Sequence, residues 1–150
     1  MTPPRIYVAH PITSYGTEHG AVRLDALAEL LPGLELVDPA ALFATSAQWL
    51  DAWPTMVQTL AGLVVFAAAD GTIGSGCLLE IADAMAAELP VAAFEEGGTG
   101  LAPSLVELVG VEFLRPSERT ARRVGVLVPG EPIDWPDLSK PRRVQRAGAR

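Results

Sequence analysis

Short, uninterrupted apolar runs alternate along this chain with longer segments in which apolar residues return every three or four positions. Arg5-Ile6-Tyr7-Val8-Ala9 follows a proline pair and predicts a first strand. The loop His10-Pro11-Ile12-Thr13-Ser14-Tyr15-Gly16 comes next. Thr17 or Ser14 then caps a helix reaching about Leu31, because Val22, Leu24, Leu27, Ala28 and Leu31 recur near helical spacing and Pro32-Gly33 stops it. Leu34 to Asp38 predicts a second strand, ended by Pro39. After a loop with a helical turn, Gln48 to Leu60 reads as a helix with Pro54 at or near its start, and Trp49, Trp53, Val57 and Leu60 on its inner face.

Leu63 to Ala69 predicts a third strand, followed by the glycine-rich Asp70-Gly71-Thr72-Ile73-Gly74-Ser75-Gly76 and a helix from about Cys77 to Leu89. Its expected packing face is Leu78, Ile81, Ala82, Met85 and Leu89. Val91 to Phe94 is a fourth strand, and Glu95 to Gly100 a second glycine-rich turn. Ser104 to Val109 reads as a short helix and Val111 to Leu114 as a fifth strand at the far edge. Val124 to Val128 stays open between strand and arm. Strands alternating with helical patterns predict an α/β domain with a mostly parallel five-stranded sheet and helices on both faces. The expected domain covers residues 1–128, with 129–150 an extended basic tail.

Composition narrows the class. The chain has 150 residues and 49% hydrophobic residues, enough for one domain with a full core. Residues 1–114 hold two bases, Arg5 and Arg23, against fourteen acids, a net of −12, whereas residues 115–150 hold nine bases against four acids, a net of +5. Such an acidic body argues against a nucleic-acid surface. The basic tail, Lys140 to Arg150, reads as a solvated terminus or an arm docking on a neighbouring subunit. No apolar run is long enough to cross a bilayer, and the N-terminus leads directly into a strand, so a cytoplasmic protein without a membrane partner is expected. With one cysteine and two histidines, neither an intrachain disulfide nor a cysteine- or histidine-rich metal site is expected, and no cofactor is.

In an open parallel sheet, ligands bind outside the carboxyl ends of the strands. That edge gathers the loop His10 to Tyr15, in which His10, Pro11 and Ile12 are candidate contacts, and the loop Asp70 to Gly76. Gly74, Ser75 and Gly76 would offer backbone amides to a phosphate at a helix N-terminus. Glu80, placed in the first turn of that helix, has an ordinary explanation in the helix dipole. It also stands above a stripe of small residues, Ala84 and Ala87, which suits a pocket wall or a close subunit contact. Asp70 reads equally as a turn cap, and Tyr7 as half-buried packing. Cys77 reads as a small buried residue near a helix N-terminus that would lower its thiol pKa.

Ile6-Tyr7-Val8-Ala9, the Gly-Ser-bearing loop and Glu80-Ile81 in a small-residue helix ending Leu89-Pro90-Val91 resemble the nucleoside 2-deoxyribosyltransferase family and its nucleotide N-glycosidase relatives, over roughly residues 5–95. The resemblance implies a flavodoxin-like (Rossmann-like) three-layer sandwich that cleaves the bond between a nucleobase and a ribose or deoxyribose. Glu80 would form a glycosyl-enzyme ester, and Tyr7 would orient it or the sugar. Asp70 would act as the acid near the departing base, with Asp51 as second choice. The substrate implied is a nucleoside or nucleoside monophosphate, and the assembly a homodimer or higher homo-oligomer. The chain departs from the transferases at Gly74, near which they carry an aspartate, and it is short of bases for a 5'-phosphate. Two other readings stand beside this one: a nucleotide-binding module without chemistry, and an interaction protein acting through the basic tail. Glu95 to Gly100 also faintly resembles the phosphate loop of cytokinin-activating phosphoribohydrolases, without that motif's proline and glutamate.

Overall fold

The structure is a computed structural model that describes residues 3–11, 14–68, 70–97, 102–114 and 124–134. The strands are β1 (Arg5–Ala9), β2 (Glu35–Val37), β3 (Gly62–Val65), β4 (Thr72–Ile73), β5 (Val91–Glu95), β6 (Ser104–Leu114) and β7 (Val124–Pro132). The helices are α1 (Glu18–Leu30), α2 (Pro39–Leu42), α3 (Ser46–Met56) and α4 (Ser75–Ala86), and a 3-10 turn, Val57–Thr59, follows α3. One sheet runs in the order β2-β1-β3-β5-β6-β7-β4. Its first four strands are parallel, and every later pairing is antiparallel.

The parallel half follows from side-chain alternation along buried strands. Tyr7, Ala9, Leu63, Val65 and Val91 face α3 and α4, where they pack with Trp53, Val57, Ile81 and Ala84. Ile6, Val8, Val64 and Ala92 face the other way, onto Leu27 and Leu31 at the end of α1. The α/β class and the helices on both faces therefore match the expectation. Chain order reverses between β1 and β3, which opens the carboxyl edge beside them.

The antiparallel half corrects the expected five-stranded, mostly parallel, flavodoxin-like sheet: the sheet is mixed and has seven strands among the described residues. Ser104 to Val109 is the beginning of one long strand, not a helix, and Val111 to Leu114 continues it inside the sheet rather than at an edge. Leu105, Val106, Leu108 and Val109 recur at helical spacing, and pairing with the otherwise open edge of β5 overrides that local signal. Register shifts between Val106 and Gly110 also break strict alternation, which lets Leu108 and Val111 join the same core. β7 continues through Pro132, so residues 129–132 of the expected tail belong to the sheet; residues 135–150 lie outside the described residues.

The helices also differ in phase from the sequence reading. α3 is capped by Thr45, whose hydroxyl accepts from the Gln48 amide at 3.2 Å, and Pro54 stands inside it near its end rather than at its start. A proline there has no N–H to donate, and the helix gives way to a 3-10 turn within three residues. α4 starts at Ser75 behind Gly74, which puts Glu80 in the second turn instead of the first. Its buried face is Cys77, Glu80, Ile81 and Ala84, while Ala82 and Met85 point outward. A helix apolar on nearly every side carries little phase information, and its polar partners settle the rotation.

The loop after β1 is tied down at the start of α1. The Ser14 carbonyl accepts from the Thr17 amide at 3.3 Å and the Thr17 hydroxyl at 2.8 Å. Gly20, buried in α1, passes so near that a Cβ would stand 2.4 Å from that carbonyl oxygen. Gly20→Ala should therefore lower stability by about 1–2 kcal/mol, because overpacking against backbone outweighs the helix propensity gained. Urea denaturation checks this, and a stabilised variant would show that the loop yields freely.

Candidate active site

Tyr7 occupies the middle of β1 with its ring fully buried, 4.7 Å from the ring of Trp53. A phenol in such a place needs a hydrogen-bond partner. It donates to Glu80 Oε2, reaching from β1 to α4. The Trp49 indole N–H donates to the same oxygen at 2.9 Å. One turn further along each helix, the Trp53 indole donates to Asp83 Oδ2 at 2.8 Å. α3 and α4 are thus joined by two indole–carboxylate rungs, with the tryptophan ring centroids 6.3 Å apart and their planes inclined by 28°.

Glu80 is 5% exposed. Burial raises its pKa from 4.5 to about 7, opposed by the Tyr7 and Trp49 hydrogen bonds, which favour the anion. The Tyr7 hydroxyl is driven far upward, chiefly by burial and then by the charge of Glu80, so Tyr7 remains a neutral donor. Cys77 is pushed up to about 12 by the same two causes. Its thiol is therefore an inert core group, and the lowering expected from the helix N-terminus does not win. Both donors converge on Oε2, and no hydrogen bond among the described residues reaches Oε1. A carboxylate with one oxygen held by two donors and the other without a hydrogen bond among the described residues keeps a lone pair with which to attack an electrophilic carbon or steady a developing cation.

Of the other expected site residues, His10 is buried at the end of β1, and Pro11 beside it is half-buried. Ile12 lies outside the described residues. Gly74, Ser75 and Gly76 are exposed at the start of α4. Asp70 is exposed, and its Oδ1 accepts from the Thr72 amide at 3.0 Å and the Thr72 hydroxyl at 2.6 Å. Those two bonds hold its carboxyl below the usual range, so it closes a turn and makes a poor proton donor. Asp51 is exposed on α3 two residues beyond Trp49, which turns it to a different side of that helix. Arg5 stands at the amino end of β1 beside Glu35, 3.4 Å away. Arg23 pairs with Glu96 and donates to the Ala67 carbonyl at 2.8 Å.

The structure thus joins Tyr7 to Glu80 and leaves Asp70 and Asp51 outside that contact. Sequence reading placed Trp49 and Trp53 together on a packing face but assigned them no polar role. The available signal was spacing: two indoles four residues apart, each needing an acceptor, opposite two carboxylates three residues apart on α4. No model of a known protein family matches the chain, and no curated protein is similar to it at a significant level.

The displaced Glu80 pKa links stability to pH. Below about 4.5 the carboxyl is protonated in both folded and unfolded chains. Between about 4.5 and 7 the folded state keeps a proton that the unfolded state loses, so stability falls as pH rises. Above 7 the buried anion costs on the order of 3 kcal/mol. Glu80→Gln keeps a carbonyl for both donors and removes that cost. Its Tm should exceed that of the native protein at pH 8 and converge with it near pH 4; thermal unfolding at the two pH values checks this, and the opposite order would overturn it.

Proposed function

We propose that this chain cleaves the N-glycosidic bond of a nucleoside or nucleoside monophosphate, with Glu80 as nucleophile, in the manner of the deoxyribosyltransferase and nucleotide N-glycosidase families that its sequence resembles. The observation that carries the reading is the convergence of Tyr7 and Trp49 on Oε2 of a buried carboxylate whose Oε1 takes no hydrogen bond among the described residues. Oε1 attacks the anomeric carbon as the bond to the base breaks, and the electron pair of that bond leaves with the base. A glycosyl ester forms on Glu80, and water or a second base then displaces it. Low polarity around Glu80 strengthens its attraction to a sugar gaining positive charge, so the burial that raises its ground-state energy helps it capture that cation.

Tyr7 and Trp49 have one task on this reading. They keep Glu80 ionised enough to act near neutral pH and hold its plane, so that Oε1 alone turns toward the sugar. On this reading the sugar approaches from the carboxyl edge between β1 and β3, where strand order reverses and ligands of open parallel sheets bind. Transfer and hydrolysis share the first step and differ only in what accepts the glycosyl group.

Incubation with a panel of nucleosides and their 5'-monophosphates should release free base, with kcat/KM rising as pH passes through about 7 and Glu80 ionises. Glu80→Gln should reduce the rate by roughly a thousandfold or more. Denaturing mass spectrometry of a quenched reaction should find the glycosyl group on a peptide containing Glu80. Full activity in Glu80→Ala would overturn the mechanism.

A further inference from the structure

The departing base needs a proton, and neither Asp70, held by Thr72, nor the ionised Glu80 supplies it. A second polar cluster lies at the same carboxyl edge. His10 is 4% exposed; its Nε2 is 2.8 Å from Asp38 Oδ1 and its Nδ1 is 2.7 Å from Ser14 Oγ. Asp38 is itself fixed, because the same oxygen caps α2 by accepting from the Ala40 amide at 3.0 Å. A carboxylate only accepts, so Nε2 carries a hydrogen and the second exchangeable position is Nδ1. The groups around the ring are Asp38, Ser14, Tyr15 at 4.5 Å and Phe66 at 6.0 Å; of these, Asp38 and Tyr15 titrate.

Ser14 is built to carry a proton between two states. Its hydroxyl lies 2.8 Å from the Pro11 carbonyl as well as 2.7 Å from His10 Nδ1. With its hydrogen on Pro11, Ser14 Oγ accepts from a protonated Nδ1; with its hydrogen on Nδ1, the ring is neutral. Ser14 is half-buried where His10 is not, so it is the end of the chain open to a ligand. Its backbone is anchored by Pro11, Thr17 and the close approach of Gly20. Tyr15, the next residue, packs on His10, which directly follows β1, the strand whose Tyr7 holds the nucleophile.

We propose, building on the glycosidase reading, that Ser14 hands the proton to the departing nucleobase and that His10, held by Asp38, resupplies it. As the bond from the anomeric carbon to the base nitrogen breaks, its electron pair stays on the base and takes the Ser14 hydroxyl proton. Ser14 Oγ takes the Nδ1 proton of His10, leaving a neutral imidazole with Nε2–H on Asp38. In the second step water attacks the anomeric carbon and the ester bond to Glu80 breaks, its electron pair returning to the carboxylate. The water proton passes to Ser14, and the Ser14 proton returns to His10. The sum is glycoside plus water giving free base plus sugar. Ser14 is the catalytic residue, and His10 and Asp38 are positioning residues that act through it.

The test compares inosine with 7-methylguanosine, each also as the 2'-deoxynucleoside and the 5'-monophosphate, because the cationic 7-methylguanine departs without taking a proton. Ser14→Ala and His10→Gln should slow base release from the inosine series about a hundredfold or more. In single-turnover base release, which precedes the attack of water, both should cleave the 7-methylguanosine series within a fewfold of the native rate, which also shows that they fold. Glu80→Gln should lose both. Equal losses on the two series in Ser14→Ala, or no loss on inosine, would overturn the relay and leave the nucleophile standing. Undiminished cleavage by Glu80→Gln, or no release from either series by the native protein, would overturn the glycosidase reading and the relay with it.

Discussion

A carboxylate in an apolar interior is tolerated only when hydrogen bonds replace the water it has lost, and much of this molecule is arranged around meeting that need for Glu80. Tyr7 must lie in the buried run of β1 for its hydroxyl to reach α4. Trp49 must stand on the face of α3 that looks at the same carboxylate, which fixes the rotation of α3. The rotation of α4 follows from the same contact and from the Trp53–Asp83 pair one turn away. Those indoles also supply much of the apolar cover over Tyr7, so the groups that solvate the carboxylate are the groups that dehydrate it.

The two faces of the parallel sheet divide the labour. The face under α3 and α4 carries the buried carboxylate, while the other, under α1, is packed by Ile6, Val8, Val64, Phe66, Leu27 and Leu31 with Arg23 over the Phe66 ring. Polar groups gather where β1, β2 and β3 end: His10, Asp38 and the Ala67 carbonyl each begin a loop or helix there. Backbone groups freed at strand ends need partners, which is why such edges collect side-chain hydrogen bonds and become places where a ligand can be held.

The parallel half was legible because each strand is a short β-branched run bounded by proline, glycine or aspartate, and because Thr17, Pro32 and Pro90 punctuate the helices. The antiparallel half was not. Leu105, Val106, Leu108 and Val109 follow the helical period, and only the open edge of β5, a long-range fact, overrides it. Glu80 and Tyr7 were legible as residues, but their contact spans 73 positions, and the phase of α4 that creates it hides among alanines, leucines and a methionine. Asp70 and Thr72 illustrate the reverse case: an aspartate two residues before a threonine is a local turn, and the local bond takes precedence over any distant role.

The pairing of β4 with β7 has a kinetic meaning. Thr72 and Ile73, in the connection that opens α4, form their ladder with Val126 and Gly125. More than fifty residues of chain separate the partners, and the strand they pair with comes last in chain order among the described residues. Loop closure over such a distance comes late in folding. During synthesis, β1 to β3 and α4 can begin to associate as they emerge, but the threshold of α4 stays unpaired until the final hairpin docks. The ladder at the connection into α4 is thereby a late event in building this sheet, so a chain stalled short of β7 would carry α4 and its buried carboxylate without the pairing of Thr72 and Ile73.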